Sequence, residues 1–135
     1  MKKSWGLIPK ILSGEKTIES RWYQTRRTPW DRIRIGDMVY FKNSGEAIVA
    51  QAVVSEVLQF EVYGLTDAVR IVEKYGKEIA LVNDDPKTWG RLPKYCILVR
   101  LQNPMRVDAP FEINKEGFGT GAAWITVGDI RQICL

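Results

Sequence analysis

The segment Gly14-Glu15-Lys16-Thr17-Ile18-Glu19-Ser20-Arg21 sets a lysine in a turn, then a carboxylate and a guanidinium two residues apart. If Thr17 to Tyr23 is a strand, Thr17, Glu19, Arg21 and Tyr23 share one face, and Ile18, Ser20 and Trp22 share the other. Charges grouped this way are costly to bury unpaired. They suit either an exposed salt-bridge face on an edge strand or a water-accessible mouth where Lys16, Glu19 and Arg21 meet a ligand. The alternating strand cannot choose between the two.

A second cluster follows at once. From Arg21 to Lys42, Arg21, Arg26, Arg27, Arg32, Arg34 and Lys42 stand against only Asp31 and Asp37, which matches the net charge of +4 of the whole chain. Trp22, Tyr23, Trp30, Tyr40 and Phe41 are interleaved with these cations. Cations beside flat rings suit nucleic acid, where guanidinium and ammonium groups meet phosphates and rings stack on bases. A solvated loop whose aromatics belong to the core fits the same pattern. Ser44, in the Asn43-Ser44-Gly45 turn beside Lys42, would lie near the same mouth if that turn sits on a barrel rim.

A third stretch, Lys115-Glu116-Gly117-Phe118-Gly119-Thr120-Gly121-Ala122-Ala123-Trp124, is a glycine-rich loop flanked by aromatics. Glycines let backbone approach a ligand, and Phe118 or Trp124 can stack on a base, with Lys115 beside them. The loop lacks the Gly-Lys-Ser/Thr end of a phosphate loop, and a tight surface loop with Trp124 anchored in the core also accounts for it. The chain has no histidine, which removes every mechanism that needs an imidazole base. Cys96 and Cys134 fit reduced core or terminal residues, and with no histidine they do not suggest a metal site. No metal or cofactor is expected.

The elements that must carry these residues read as one α+β domain over residues 1–135. Pro9 opens a short helix through Ser13, ended by Gly14 in a left-handed conformation. Strands are expected over Thr17–Tyr23, Met38–Asn43 and the long Ala47–Val62, which should bend or carry a bulge. Thr66 caps a helix with Ala68, Ile71, Val72 and Tyr75 as its apolar stripe and Gly76 as its end. Asn83-Asp84-Asp85-Pro86 turns the chain, and a short helical turn runs to Trp89. Tyr95–Leu101 is a buried strand, and a proline-punctuated extended stretch reaches Ile113. Thr126 to Ile133 fits a short helix or an edge strand. The total is a small β-barrel of five or six strands with two or three short helices. No apolar run approaches the roughly 18 residues of a membrane helix, and the N-terminus lacks the apolar run of a signal peptide. A cytoplasmic location is expected, with no membrane partner.

Gly14, Lys16, Glu19 and Arg21 match the G-x-K-x-x-E-x-R signature of the ASCH (activating signal cointegrator homology) domain family, and Leu12 fits the helix before it. Ile35-Gly36-Asp37-Met38-Val39-Tyr40-Phe41 resembles that family's G-D-x-V-x-F strand, and the valine-rich run to Phe60 its next long strand. The resemblance covers the first half of the chain in its motifs and the second half only as a β pattern. It implies a PUA-like β-barrel, akin to RNA-binding and modified-base-reading domains, whose charged motif lines a cleft for RNA or a nucleotide-like small molecule. Some bacterial members of the family are amidohydrolases acting on acylated cytidine. They use the motif lysine, a threonine where Glu19 stands here, and a distant glutamate. Thr17 lies in the motif but not in that slot. Ribonuclease activity has also been proposed within the family.

The sequence therefore points first to a domain that binds RNA or a modified nucleoside. The candidate contacts are Lys16, Glu19, Arg21, Tyr23, Arg26, Arg27, Trp30, Lys42, Ser44, Lys115, Phe118 and Trp124. The alternative is a hydrolase of an acylated nucleoside or of single-stranded RNA. In it Lys16, its pKa lowered in a partly dry cleft, is the base, and Glu19 orients water or the substrate amine.

Overall fold

In the computed structural model, residues 6–26, 30–43, 45–80 and 85–113 are described. The expectations for Arg27, Ser44, Lys115, Phe118, Trp124 and Cys134 lie outside these residues, as do Asn83-Asp84 and the element over 126–133.

The chain opens with helix α1, Leu7–Ser13, which Gly14 ends in the left-handed region at φ 83°, its N–H donating to the Ile11 carbonyl. Glycine is suited to that conformation because it has no Cβ to clash. Pro9 occupies the third helical position rather than the first. Strands β1 (Ile18–Tyr23), β2 (Met38–Lys42) and β3 (Ile48–Glu61) follow, then helix α2 (Leu65–Ile79), a 3-10 turn (Pro86–Thr88) and strand β4 (Tyr95–Phe111).

The strands form an antiparallel sheet in the order β1-β4-β3-β2, open at both edges. Four strands among the described residues replace the expected barrel of five or six. One reason is that Tyr95–Leu101 and the proline-rich stretch after it are a single strand. Pro104 is tolerated because β4 carries an extra residue where Val53 pairs with Gln102 and Gln51 with Met105, and Asn103 takes φ 51° there. The expected irregularity in β3 is present as three register shifts against β4.

Two cores sit on opposite faces of the sheet. On one, Ile8 and Ile11 of α1 pack with Val39, Phe41, Ala50, Ala52, Val54, Ile97, Val99 and Leu101. On the other, Ala68, Ile71 and Ile79 of α2 pack with Ile18, Val62, Cys96 and Leu98. Strand alternation sends the even residues of β1 to the α2 face and its odd residues, Glu19, Arg21 and Tyr23, to the α1 face.

Helix α2 departs from its sequence reading at both ends. Gly64 rather than Thr66 holds the N-cap position, and Asp67 reaches back to accept from the Tyr63 N–H at 2.9 Å. Gly76 lies inside the helix, which runs one turn further and ends at Ala80, in the left-handed region at φ 65°. The longer helix brings Ile79 against β1. Among the described residues no helix is long and apolar enough to cross a membrane.

Candidate functional site

The turn after α1 aims Lys16 inward. Its N–H donates to the Lys10 carbonyl at 2.9 Å, and the next residue, Thr17, donates its N–H to Glu78 of α2. The Lys16 ammonium donates to the carbonyls of Ile18 at 2.8 Å and Ile79 at 2.7 Å. Ile79 is the last residue of α2, whose carbonyl has no partner within the helix. Lys16 thus caps α2 and ties it to β1.

Glu19 stands beside it, with one carboxylate oxygen 3.8 Å from the Lys16 ammonium and the other 3.5 Å from the Arg21 guanidinium. Both distances are longer than hydrogen bonds, so the group is held by charge. Lys16 is 3% exposed and Glu19 5%. Burial lowers the Lys16 pKa, with Glu19 opposing the shift and Arg21 and Lys10 adding to it. The Glu19 oxygen that faces Lys16 accepts no hydrogen bond among the described residues.

The water-accessible mouth expected for all three residues is therefore not what the described residues form. Lys16 is inside, against the end of α2, Glu19 is buried on the α1 face of β1, and Arg21 is the member that reaches solvent, with its side chain 24% exposed. A helix ending at Gly76 would have left that corner open.

The same face of β1 emerges at Tyr23. Tyr23 pairs with Tyr95 of β4, which pairs with Glu61 of β3, so the three residues form one rung across the sheet. Above the rung, Arg26 donates to Glu61 at 2.7 Å, and its guanidinium carbon lies 5.8 Å from the Trp30 ring centroid and 5.4 Å from that of Tyr95. The two rings meet edge-on, 5.3 Å apart. Tyr63 donates its hydroxyl to the other Glu61 oxygen. These two hydrogen bonds, the Tyr63 one foremost, hold the Glu61 pKa below the ordinary carboxylate value. Two rungs inward, Gln59 exchanges hydrogen bonds with Asp31 at 2.7 and 2.8 Å, anchoring the loop that carries Trp30. Beside Glu61, a cleft of about 380 Å³ is lined by residues that include Tyr63, Leu92, Lys94 and Tyr95.

The structure brings Arg21, Tyr23, Arg26 and Trp30 to one end of the sheet face. Lys42 is elsewhere, paired with Ile48 at the opposite end of β3 from Glu61. Arg32 and Arg34 are exposed beyond Trp30. The aromatics of the basic stretch divide: Trp22 packs edge-on against Trp89 on the α2 face, and Phe41 is buried in the α1 core. Glu61, Tyr63 and Tyr95 are not among the residues that the sequence pattern singles out. Their signal is present in β3, where Gln59 and Glu61 make the mixed face polar at one end.

No protein-family model matches the sequence, and no curated protein does. Solved structures do match. The ASCH protein of Zymomonas mobilis aligns over 82% of this chain and 66% of its own, with a TM-score of 0.56 and 17% identity. A tyrosine-to-phenylalanine variant of that protein aligns over 83% of this chain and 71% of its own at 0.60, and a serine-to-alanine variant over 79% and 68% at 0.58, each 17% identical. With the open sheet flanked by two helices and the motif turn between α1 and β1, this likeness shows that the chain has an ASCH-like fold.

Proposed function

We propose that this protein binds RNA or a modified nucleoside at the end of the sheet face where Arg21, Tyr23, Arg26, Trp30 and Tyr95 converge. The observation that carries the reading is the Arg26 guanidinium set against the Trp30 and Tyr95 rings above the Tyr23–Tyr95–Glu61 rung, with Arg32 and Arg34 exposed in the loop that follows Trp30. Rings supply stacking that any base can use, and the arginines supply contacts for phosphate. The ASCH-like fold and the match to G-x-K-x-x-E-x-R support the same reading. In it, Lys16 and Glu19 act through position: they fix β1 against α2 and hold Arg21 at the surface.

The hydrolase reading rests on the lowered pKa of Lys16. The commitment of its ammonium to two carbonyls at 3% exposure favours a structural role. The binding reading is tested by titrating single-stranded RNA into the protein and its Trp30→Leu variant, which keeps an apolar side chain against the core but removes the ring. Loss of one stacked base, about 1–3 kcal/mol, should weaken binding by a factor of about 5 to 150. Equal affinity for the two proteins, or RNA cleavage that Lys16→Ala abolishes, would refute it.

A further inference from the structure

The corner between Trp30 and Tyr95 is filled by the protein's own planar cation. The Arg26 guanidinium lies against both rings and donates to one oxygen of Glu61, while Tyr63 holds the other. Its side chain is 57% exposed, so it can leave without disturbing either core. Ring faces attract cations, and a carboxylate at the edge selects a group that carries N–H donors there. A ligand entering the corner must replace the positive charge as well as the shape, because a neutral ring would leave Glu61 beside two aromatic rings without its cation. The cleft next to the corner shares Glu61, Tyr63 and Tyr95 with it and includes Lys94, so the remainder of a larger ligand has room beside an ammonium. Around the corner, Asp31 is held by Gln59 and Asp67 by the Tyr63 N–H, while Arg32 and Arg34 are exposed in the loop that follows Trp30.

We infer that Arg26 is a built-in occupant of a site for an N-alkylated, positively charged nucleobase, with Glu61 accepting from the base edge, one of the two edge-on rings, Trp30 or Tyr95, stacking on its face and the other meeting its edge. This rests on the nucleic-acid reading above and names the class of base.

The consequence is unusual for a basic residue near a nucleic-acid site: its removal should tighten binding. If Arg26 fills the corner about 70–90% of the time, Arg26→Ala should bind a cationic nucleoside about three- to tenfold more tightly. A nucleoside carries no phosphate, so loss of the arginine cannot weaken binding through the backbone. The test is calorimetric titration of the full chain, Arg26→Ala and Glu61→Gln with 7-methylguanosine, guanosine and N-acetylarginine amide. Expected are tighter binding of 7-methylguanosine by Arg26→Ala, at least tenfold weaker binding by Glu61→Gln, and at least tenfold weaker binding of guanosine by the parent. Arg26 and Glu61 are exposed, and circular dichroism of both variants should match the parent. Unchanged or weaker binding by Arg26→Ala overturns the inference, as does equal binding of guanosine. Tighter binding of the arginine derivative than of either nucleoside would assign the corner to protein arginines instead. If single-stranded RNA still binds while these results appear, the nucleic-acid reading stands and the assignment of the corner falls. If neither RNA nor any nucleoside binds, both fall.

Discussion

The Lys16 ammonium sits 2.7 and 2.8 Å from two carbonyls while burial works against its charge. Removing it leaves the Ile18 and Ile79 carbonyls short of a donor and buried Glu19 without one of its two cations. Lys16→Met should therefore cost about 3–5 kcal/mol in urea unfolding, the range for breaking a buried ion pair. The double variant Lys16→Met/Glu19→Leu should recover much of that loss. The dependence on pH has a definite sign. The folded-state pKa lies below the ordinary 10.5, so between the two values the unfolded chain binds the proton more tightly. The charge thus opposes folding at neutral pH, and this cost fades as pH rises toward 10.5. The parent's lead in stability over Lys16→Met should widen between pH 7 and pH 10. A flat or shrinking lead would show that burial does not depress this lysine.

Helix α2 carries its glycine four residues before the place where the chain turns. Gly76 is helical, and a Cβ there would touch Val72 at an ordinary 3.5 Å, whereas Ala80 takes the left-handed conformation at φ 65°. Gly76→Ala should stabilise the protein by about 0.5–1 kcal/mol, since glycine is that much worse than alanine inside a helix. Ala80→Gly should add a similar amount by relieving a conformation that costs L-residues about 1–2 kcal/mol, less the extra freedom glycine has when unfolded. Denaturant midpoints of the two single variants check this, and a fall for Gly76→Ala would mean that the helix ends there after all. The same helix shows where sequence reading runs out. Strands β1, β2 and β3 are legible because alternation marks them directly, and α1 because a glycine stands at its true end. For α2, local propensity favours a stop at Gly76, and packing of Ile79 against β1 carries the helix past it. That turn also supplies the Ile79 carbonyl that holds Lys16 inside, so the motif is legible as a cluster but its burial is not. The rung of Tyr23, Tyr95 and Glu61 joins three strands distant in sequence, which no local pattern reveals.

At the scale of the whole molecule, the arginines around Trp30 differ in what holds them. Arg26 is engaged with Glu61 and the rings, whereas Arg32 and Arg34 extend from the loop between β1 and β2 into solvent. If single-stranded RNA crosses this loop, its affinity should fall steeply with salt. The double variant Arg32→Ala/Arg34→Ala should flatten the log–log slope by about 1.4, at roughly 0.7 for each phosphate no longer neutralised. An unchanged slope would return the loop to a merely solvated connection. The sheet order has a different kind of consequence. Strand β1 is an edge strand, and among the described residues its neighbour in the sheet is β4: Ile18 pairs with Arg100 and Tyr23 with Tyr95. Strands β2 and β3, by contrast, are close in sequence and can pair early. On a ribosome the G-x-K-x-x-E-x-R segment emerges long before anything it can pair with, and Lys16 has no Ile79 carbonyl to hold until α2 exists. Such distant pairing is slow because loop closure must come before the contacts that reward it. The strand that carries the charged motif is thus among the first parts synthesised and among the last to be assembled.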